Sequence, residues 1–122
     1  MSFAYEANLV CQSFLADCDL STKQYYAVKM STTETIILAS DADAFMLGVL
    51  QDKPDTAGIG CLVAVGGISK AVGGEQIDAG ASVAVGAGGK FVTATTMVCG
   101  VALNACGADG ELFSLLIRPD AY

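Results

Sequence analysis

The chain contains an echo of itself. Residues 45–65 read FMLGVLQDKPDTAGIGCLVAV, and 52 residues later, without a gap, residues 97–117 read MVCGVALNACGADGELFSLLI. Gly48 falls on Gly100, Val49 on Val101 and Gly58 on Gly110. Each copy is an apolar run, a polar centre closed by a small or acidic residue and Gly, and a second apolar run, which is the pattern of strand, turn, strand. Two copies are too few for a solenoid and suit a small domain built from two related halves.

The rhyme extends upstream. Tyr25–Val28, a polar turn and Thr35–Leu38 correspond to Ser82–Val85, a Gly-rich turn and Lys90–Thr93. Gly66-Gly67, Gly73-Gly74, Gly80 and Gly86 to Gly89 punctuate the region between, at the spacing of short strands in a barrel or sandwich. Gly is suited to hairpin turns because it takes positive φ without steric cost. The expected fold is all-β: a small Gly-rich β-barrel or β-sandwich of about nine short strands. It comprises one β domain over 20–122, with quasi-repeats at about 24–66 and 81–118.

Residues 1–19 differ. They hold no Gly or Pro and no clean period, and Phe3, Tyr5, Leu9, Val10, Phe14 and Leu15 are spread among polar residues. The segment reads as an N-terminal arm docking on a neighbouring chain, with a short helix or a segment folded back over its own barrel as alternatives. Phe3, Tyr5, Leu9 and Phe14 are the candidate interface residues.

Composition excludes several functions. Thirteen acidic residues against six basic ones give a net charge of −7, and Arg118 is the only arginine, so phosphate backbones would repel the chain. Histidine is absent, which removes the commonest general base and metal ligand. Cys11, Cys18, Cys61, Cys99 and Cys106 form no C-x-x-C, and they read as small apolar residues of a reducing compartment. Glu6 within the first apolar stretch argues against a secretory signal, and no apolar run reaches the ~18 residues of a membrane helix. The expectation is a soluble protein made in a cytoplasm, with no nucleic-acid or membrane partner.

The tempting motifs fail on their mechanics. Gly86 to Lys90, GAGGK, lacks the first Gly and the Ser or Thr of a phosphate-binding loop. Asp41 and Asp43 lack the Gly and third ligand of a calcium loop. Ala27-Val28-Lys29-Met30 lacks the Glu and first Met of a biotin-carrier motif. No Ser or Cys stands in a nucleophile elbow. No catalytic, cofactor or metal residue is therefore assigned, and the chain reads as a non-enzyme.

Phe45-Met46-Leu47-Gly48-Val49, Ala57-Gly58, Val63 to Gly67, Asp78-Ala79-Gly80, Gly88-Gly89-Lys90, Gly100 to Leu103 and Asp109-Gly110 follow one another in an order that resembles bacteriophage capsid cement, or head decoration, proteins of the DUF2190 type. The resemblance spans about residues 24 to 118 and is a rhythm of Gly and small apolar residues. It implies a virion protein on the exterior of the capsid shell, a homotrimer in contact with the major capsid protein, assembled in the host cytoplasm. The alternative is a small β module recognising carbohydrate or a host surface. That role calls for exposed aromatic anchors, and the chain has no Trp and only four Tyr.

Overall fold

The structure is a computed structural model and describes residues 4–40, 46–94 and 97–118. Nine strands form one antiparallel sheet: β1 (Ala7–Leu15), β2 (Ala27–Met30), β3 (Ile36–Leu38), β4 (Gly48–Leu50), β5 (Gly60–Val72), β6 (Ser82–Val85), β7 (Phe91–Thr93), β8 (Gly100–Ala102) and β9 (Leu112–Ile117). Eight of them run in the order β3-β2-β4-β5-β9-β8-β6-β7, and β1 pairs with β5. The sheet curls into a half-barrel. The turn at Ala87–Gly89, from one end of the order, lies against Leu38 and Ala27 at the other, so close that a Cβ on Gly89 would overlap the Leu38 side chain.

The internal repeat is exact in register. Val49↔Ala64 and Leu50↔Val63 are matched by Val101↔Leu116 and Ala102↔Leu115. Val28↔Leu38, Lys29↔Ile37 and Met30↔Ile36 are matched by Val83↔Thr93, Ala84↔Val92 and Val85↔Phe91. The match continues into β1: Leu15↔Gly60, Phe14↔Cys61 and Ser13↔Leu62 are repeated by Val72↔Leu112, Ala71↔Phe113 and Lys70↔Ser114. Strand β5 therefore serves twice. Its first half closes one unit as β9 closes the other, and its second half opens the second unit as β1 opens the first.

The turns repeat too. Leu20 N–H donates to Pro54 O and Ile77 N–H to Cys106 O; Leu62 N–H donates to Asp52 Oδ2 and Ser114 N–H to Asn104 Oδ1. Left-handed backbone recurs at the same places, with Tyr25 (φ 70) opposite Gly80 (φ 87), Glu34 (φ 67) opposite Gly89 (φ 82), and Gly58 (φ 88) opposite Gly110 (φ 90). This corrects the upstream alignment. Ala27–Met30, and not Tyr25–Val28, matches Ser82–Val85, because a strand cannot begin before the left-handed Tyr25. Phe45 and the Asp41–Asp43 loop lie outside the described residues.

Each unit buries its own core. Leu20, Val28, Ile36, Leu50, Cys61 and Val63 cluster in the first. Their counterparts Ile77, Val83, Phe91, Ala102, Phe113 and Leu115 lie in the larger second cluster, which also takes Ala27, Ala39, Val49 and Ala64 from the first unit. Phe91 and Phe113 meet edge to face with centroids 6.2 Å apart. Each fully buried side chain of this size contributes about 1.5–3 kcal/mol. The repeated Gly at the start of β4 and β8 is required by close approach: a Cβ on Gly48 would overlap the Ala64 carbonyl, and one on Gly100 the Leu116 carbonyl.

Two stability measurements follow. Gly48→Ala and Gly100→Ala each lower unfolding free energy by about 1–3 kcal/mol in urea titrations, since backbone must move to admit the methyl. Glu34→Gly does the opposite. Glu34 is exposed and left-handed where the second unit uses Gly89, so the change raises stability by about 0.5–1 kcal/mol after the extra chain entropy of Gly is offset.

Candidate interaction surface

The segment expected as an arm enters the sheet of its own chain. From Ala7 to Leu15 it is β1, antiparallel to β5. Leu9 is half-buried against the larger core and Phe14 against the smaller one. Tyr5 is 46% exposed. Its backbone N–H donates to Ser114 Oγ at 2.6 Å, and that hydroxyl donates back to Tyr5 O at 3.2 Å. Phe3 lies outside the described residues. Of the four candidate interface residues, Leu9 and Phe14 thus anchor β1 within the chain, and Tyr5 keeps an exposed ring. A segment without charge from Ala7 to Leu15 can pair with β5 because β5 offers it an apolar edge of matching length.

Besides Tyr5 and the scattered Met30, Met97 and Leu112, the exposed large apolar residues lie on β1, on β5 and just before β5. Val10 is 54% exposed, Leu15 51%, Ile59 42% and Leu62 41%. Ser13 pairs with Leu62 and Leu15 with Gly60, which puts Leu15 and Leu62 on one face, with Ile59 next to it in the chain. Val10 continues the strip along β1, against Gly66. Leu62 sits inside the run Cys61-Leu62-Val63-Ala64-Val65, which reads as a strand buried on both faces. The clue in the sequence is the repeat itself: Leu62 aligns with Ser114, a polar residue that the structure buries completely.

The residues weighed for chemistry have structural uses. Lys90 of GAGGK pairs with Asp109 Oδ1 at 2.9 Å, and this hydrogen bond and charge raise its pKa. Lys29 lies within β2 opposite Ile37, away from any hairpin tip. Asp17 Oδ1 accepts from Thr35 Oγ1 at 2.8 Å and Thr33 Oγ1 at 3.1 Å, and Ser31 Oγ lies 2.8 Å from Thr35 Oγ1, so three hydroxyls and a carboxylate tie the β2–β3 hairpin to the end of β1. Among the described residues no group of three His, Cys, Asp or Glu could hold a metal ion, and no helix is long and apolar enough to cross a membrane. All five cysteines are free thiols. Burial pushes Cys99 up to about 12 and raises Cys61 and Cys106, so these three are poor nucleophiles.

The same architecture occurs in a solved phage protein. The N base of the head fiber protein gp8.5 of bacteriophage phi29 superposes with a TM-score of 0.63, over 90% of this chain and 94% of that one, at 18% sequence identity. The chain shares its fold with a head-fibre base. No protein-family model and no curated protein matches it. At this identity the likeness establishes the fold.

Thiol chemistry reads out the burial. At pH 8 a maleimide labels the exposed Cys18 and, more slowly, the half-buried Cys11, while Cys61, Cys99 and Cys106 react only on unfolding. Three thiols with raised folded pKa values hold their protons where the unfolded chain releases them, so stability falls as pH rises above about 9. Native mass spectrometry of the labelled protein and urea titrations at pH 8 and pH 10 check both statements.

Proposed function

We propose that the chain is a structural protein of a bacteriophage virion that binds the exterior of the capsid shell, as a decoration or cement protein. The observation that carries this reading is the end-to-end likeness to a phage head-fibre base, with nearly all of both chains aligned. Three further features support it. The order of Gly and small apolar residues resembles head decoration proteins. A net charge of −7 suits a position outside the shell, away from packaged DNA. The strip of Val10, Leu15, Ile59 and Leu62 supplies an apolar contact surface.

In this role the chain acts by mass action. Many copies, each making a modest contact, bind the assembled lattice and not the free subunits, and so shift the equilibrium toward the intact shell. A homotrimer multiplies the contact, because the second and third copies engage at high effective concentration. Assembly takes place in the host cytoplasm, where the five cysteines stay reduced.

Quantitative mass spectrometry of purified particles tests the reading. The expected ratio of this chain to the major capsid protein is one or a simple fraction. A few copies per particle would instead favour a fibre or host-binding module, and absence from the particle would exclude a virion role. Light scattering on the isolated chain checks the trimer, with an expected mass three times 12.4 kDa.

A further inference from the structure

The two units match in backbone, but they are not covered alike. In the second unit Ile68 pairs with Leu116 and also with Ala7, one on each edge of the strand. Ser114, on the strand beside it, is buried under the backbone of Tyr5, which its hydroxyl holds from both sides. The segment of residues 5–8, which turns at the left-handed Asn8, therefore lies along the second unit. Gly67 makes room for it, since a Cβ there would overlap the Asn8 carbonyl. The equivalents in the first unit are Cys11 for Ile68, Leu62 for Ser114 and Val10 for Gly67, by the register of the repeat. Cys11 pairs with Ala64 alone, and among the described residues β1 pairs with no strand but β5. Leu62 and Val10 are exposed. Among the described residues no segment fills in the first unit the place that residues 5–8 fill in the second, and the lining has changed from Ser and Gly to Leu and Val.

We propose that this open place accepts an extended segment of a capsid subunit, which adds to the unpaired edge of β1 as a further strand and covers the strip of Val10, Leu15, Ile59 and Leu62. The inference rests on the reading of the chain as a capsid-binding protein. From Cys11 to Leu15, beyond the register shifts on either side of Val10 and before the Ala16–Ile36 bridge, β1 is a regular strand with no charge and no Pro, and its edge away from β5 pairs with no strand among the described residues, which makes it a template for strand addition. Charge selects the occupant. The neutral strand is flanked by exposed Glu6 at one end and exposed Asp17 and Asp19 at the other, and Asp52 and Asp55 lie with Lys53 on the turn that precedes Ile59, so five carboxylates face one ammonium group. The fitting segment is apolar at its centre with Lys or Arg at its flanks. A second copy of this chain does not fit that description: it carries the same −7 charge, and its own residues 5–8 are already engaged on its second unit.

The test uses the full chain and purified expanded shells of the source phage stripped of it. Wild type, a Val10→Glu/Leu62→Glu double variant and a Met97→Glu control are compared, with circular dichroism and melting curves confirming that each is folded. The expected result is at least about a tenfold loss of shell affinity for the double variant, unchanged affinity for the control, and slowed amide exchange over residues 10–15 of wild type on binding. Wild-type binding with unchanged exchange in β1 and full affinity of the double variant would overturn the proposal while leaving the capsid role intact. A fall in the mass of the isolated chain caused by the double variant would assign the strip to a second copy and overturn it too. If wild type does not bind the shells, the capsid role fails first and the proposal with it.

Discussion

Everything in this fold hangs on β5. It is thirteen residues long where its neighbours run from three to nine, and it is the one strand that belongs to both units. Its first half pairs with β4 and β1, its second half with β9. Two four-strand sheets that met only through side chains would need a second core between them. Sharing a strand joins them by the main-chain hydrogen bonds of the β5 ladders instead. The arrangement suits a chain of 122 residues, too short to bury two independent domains.

A shared strand creates a steric problem at its midpoint, where two pairing partners meet on one strand. Glycine solves it. Gly66 and Gly67 mark the place where β5 passes from one unit to the other: Val10 packs against the first, and the Asn8 carbonyl occupies the space a side chain would need on the second. The pair Gly48 and Gly100 solves the matching problem at β4 and β8, where each crosses the carbonyl of its neighbour. Gly48, Gly67 and Gly100 are places where a neighbouring backbone carbonyl takes the space of a side chain, Gly66 is in ordinary contact with the Val10 side chain, and only Gly58 and Gly110 among the repeated glycines are used for left-handed turns alone. The distinction matters because open turns tolerate change at the cost of local strain, whereas at a crossing a neighbouring backbone must move to admit a methyl.

Much of this was legible in the residues. The echo of 52 residues located β4, β5, β8 and β9, and its rigid spacing followed from turns of equal length, Asp52 to Gly58 against Asn104 to Gly110. The hairpins were legible too, although their offset is 55 residues, because the loop from Ala39 to Leu47 is three longer than its counterpart from Ala94 to Cys99. Tyr25 defeated the alignment there. A left-handed tyrosine where the twin unit has Gly80 looks like strand in sequence, and its conformation is imposed by tertiary bonds: Tyr25 N–H donates to Leu50 O, and Val72 N–H donates to Tyr25 O. Strand β1 was illegible for a different reason. Its counterpart in the repeat is the second half of β5, Gly67 to Val72, and ANLVCQSFL shares no visible pattern with it; only the register of the ladder equates them. The interface candidates Leu9 and Phe14 are exposed-looking aromatics and aliphatics until β1 is known to be a strand, after which their burial follows.

The departures from symmetry carry the functional argument. Where the units agree, the residues are fold: paired glycines, paired turns, paired core side chains. Where they differ at equal backbone, something other than folding chose the residue. The β2–β3 turn holds three hydroxyls against Asp17, whereas the same turn in the second unit is made of Gly and Ala. Leu62 stands exposed where Ser114 is buried, and Val10 where Gly67 gives way to a crossing chain. A buried serine needs the partner it has in Tyr5, and the leucine in its place on a central strand is left uncovered by the described residues. Duplication supplies the control: the second unit shows what this backbone requires, and the first shows what has been added to it. The exposed additions Val10 and Leu62 lie on β1 and β5, and the hydroxyl cluster ties the β2–β3 turn to Asp17, just past the end of β1.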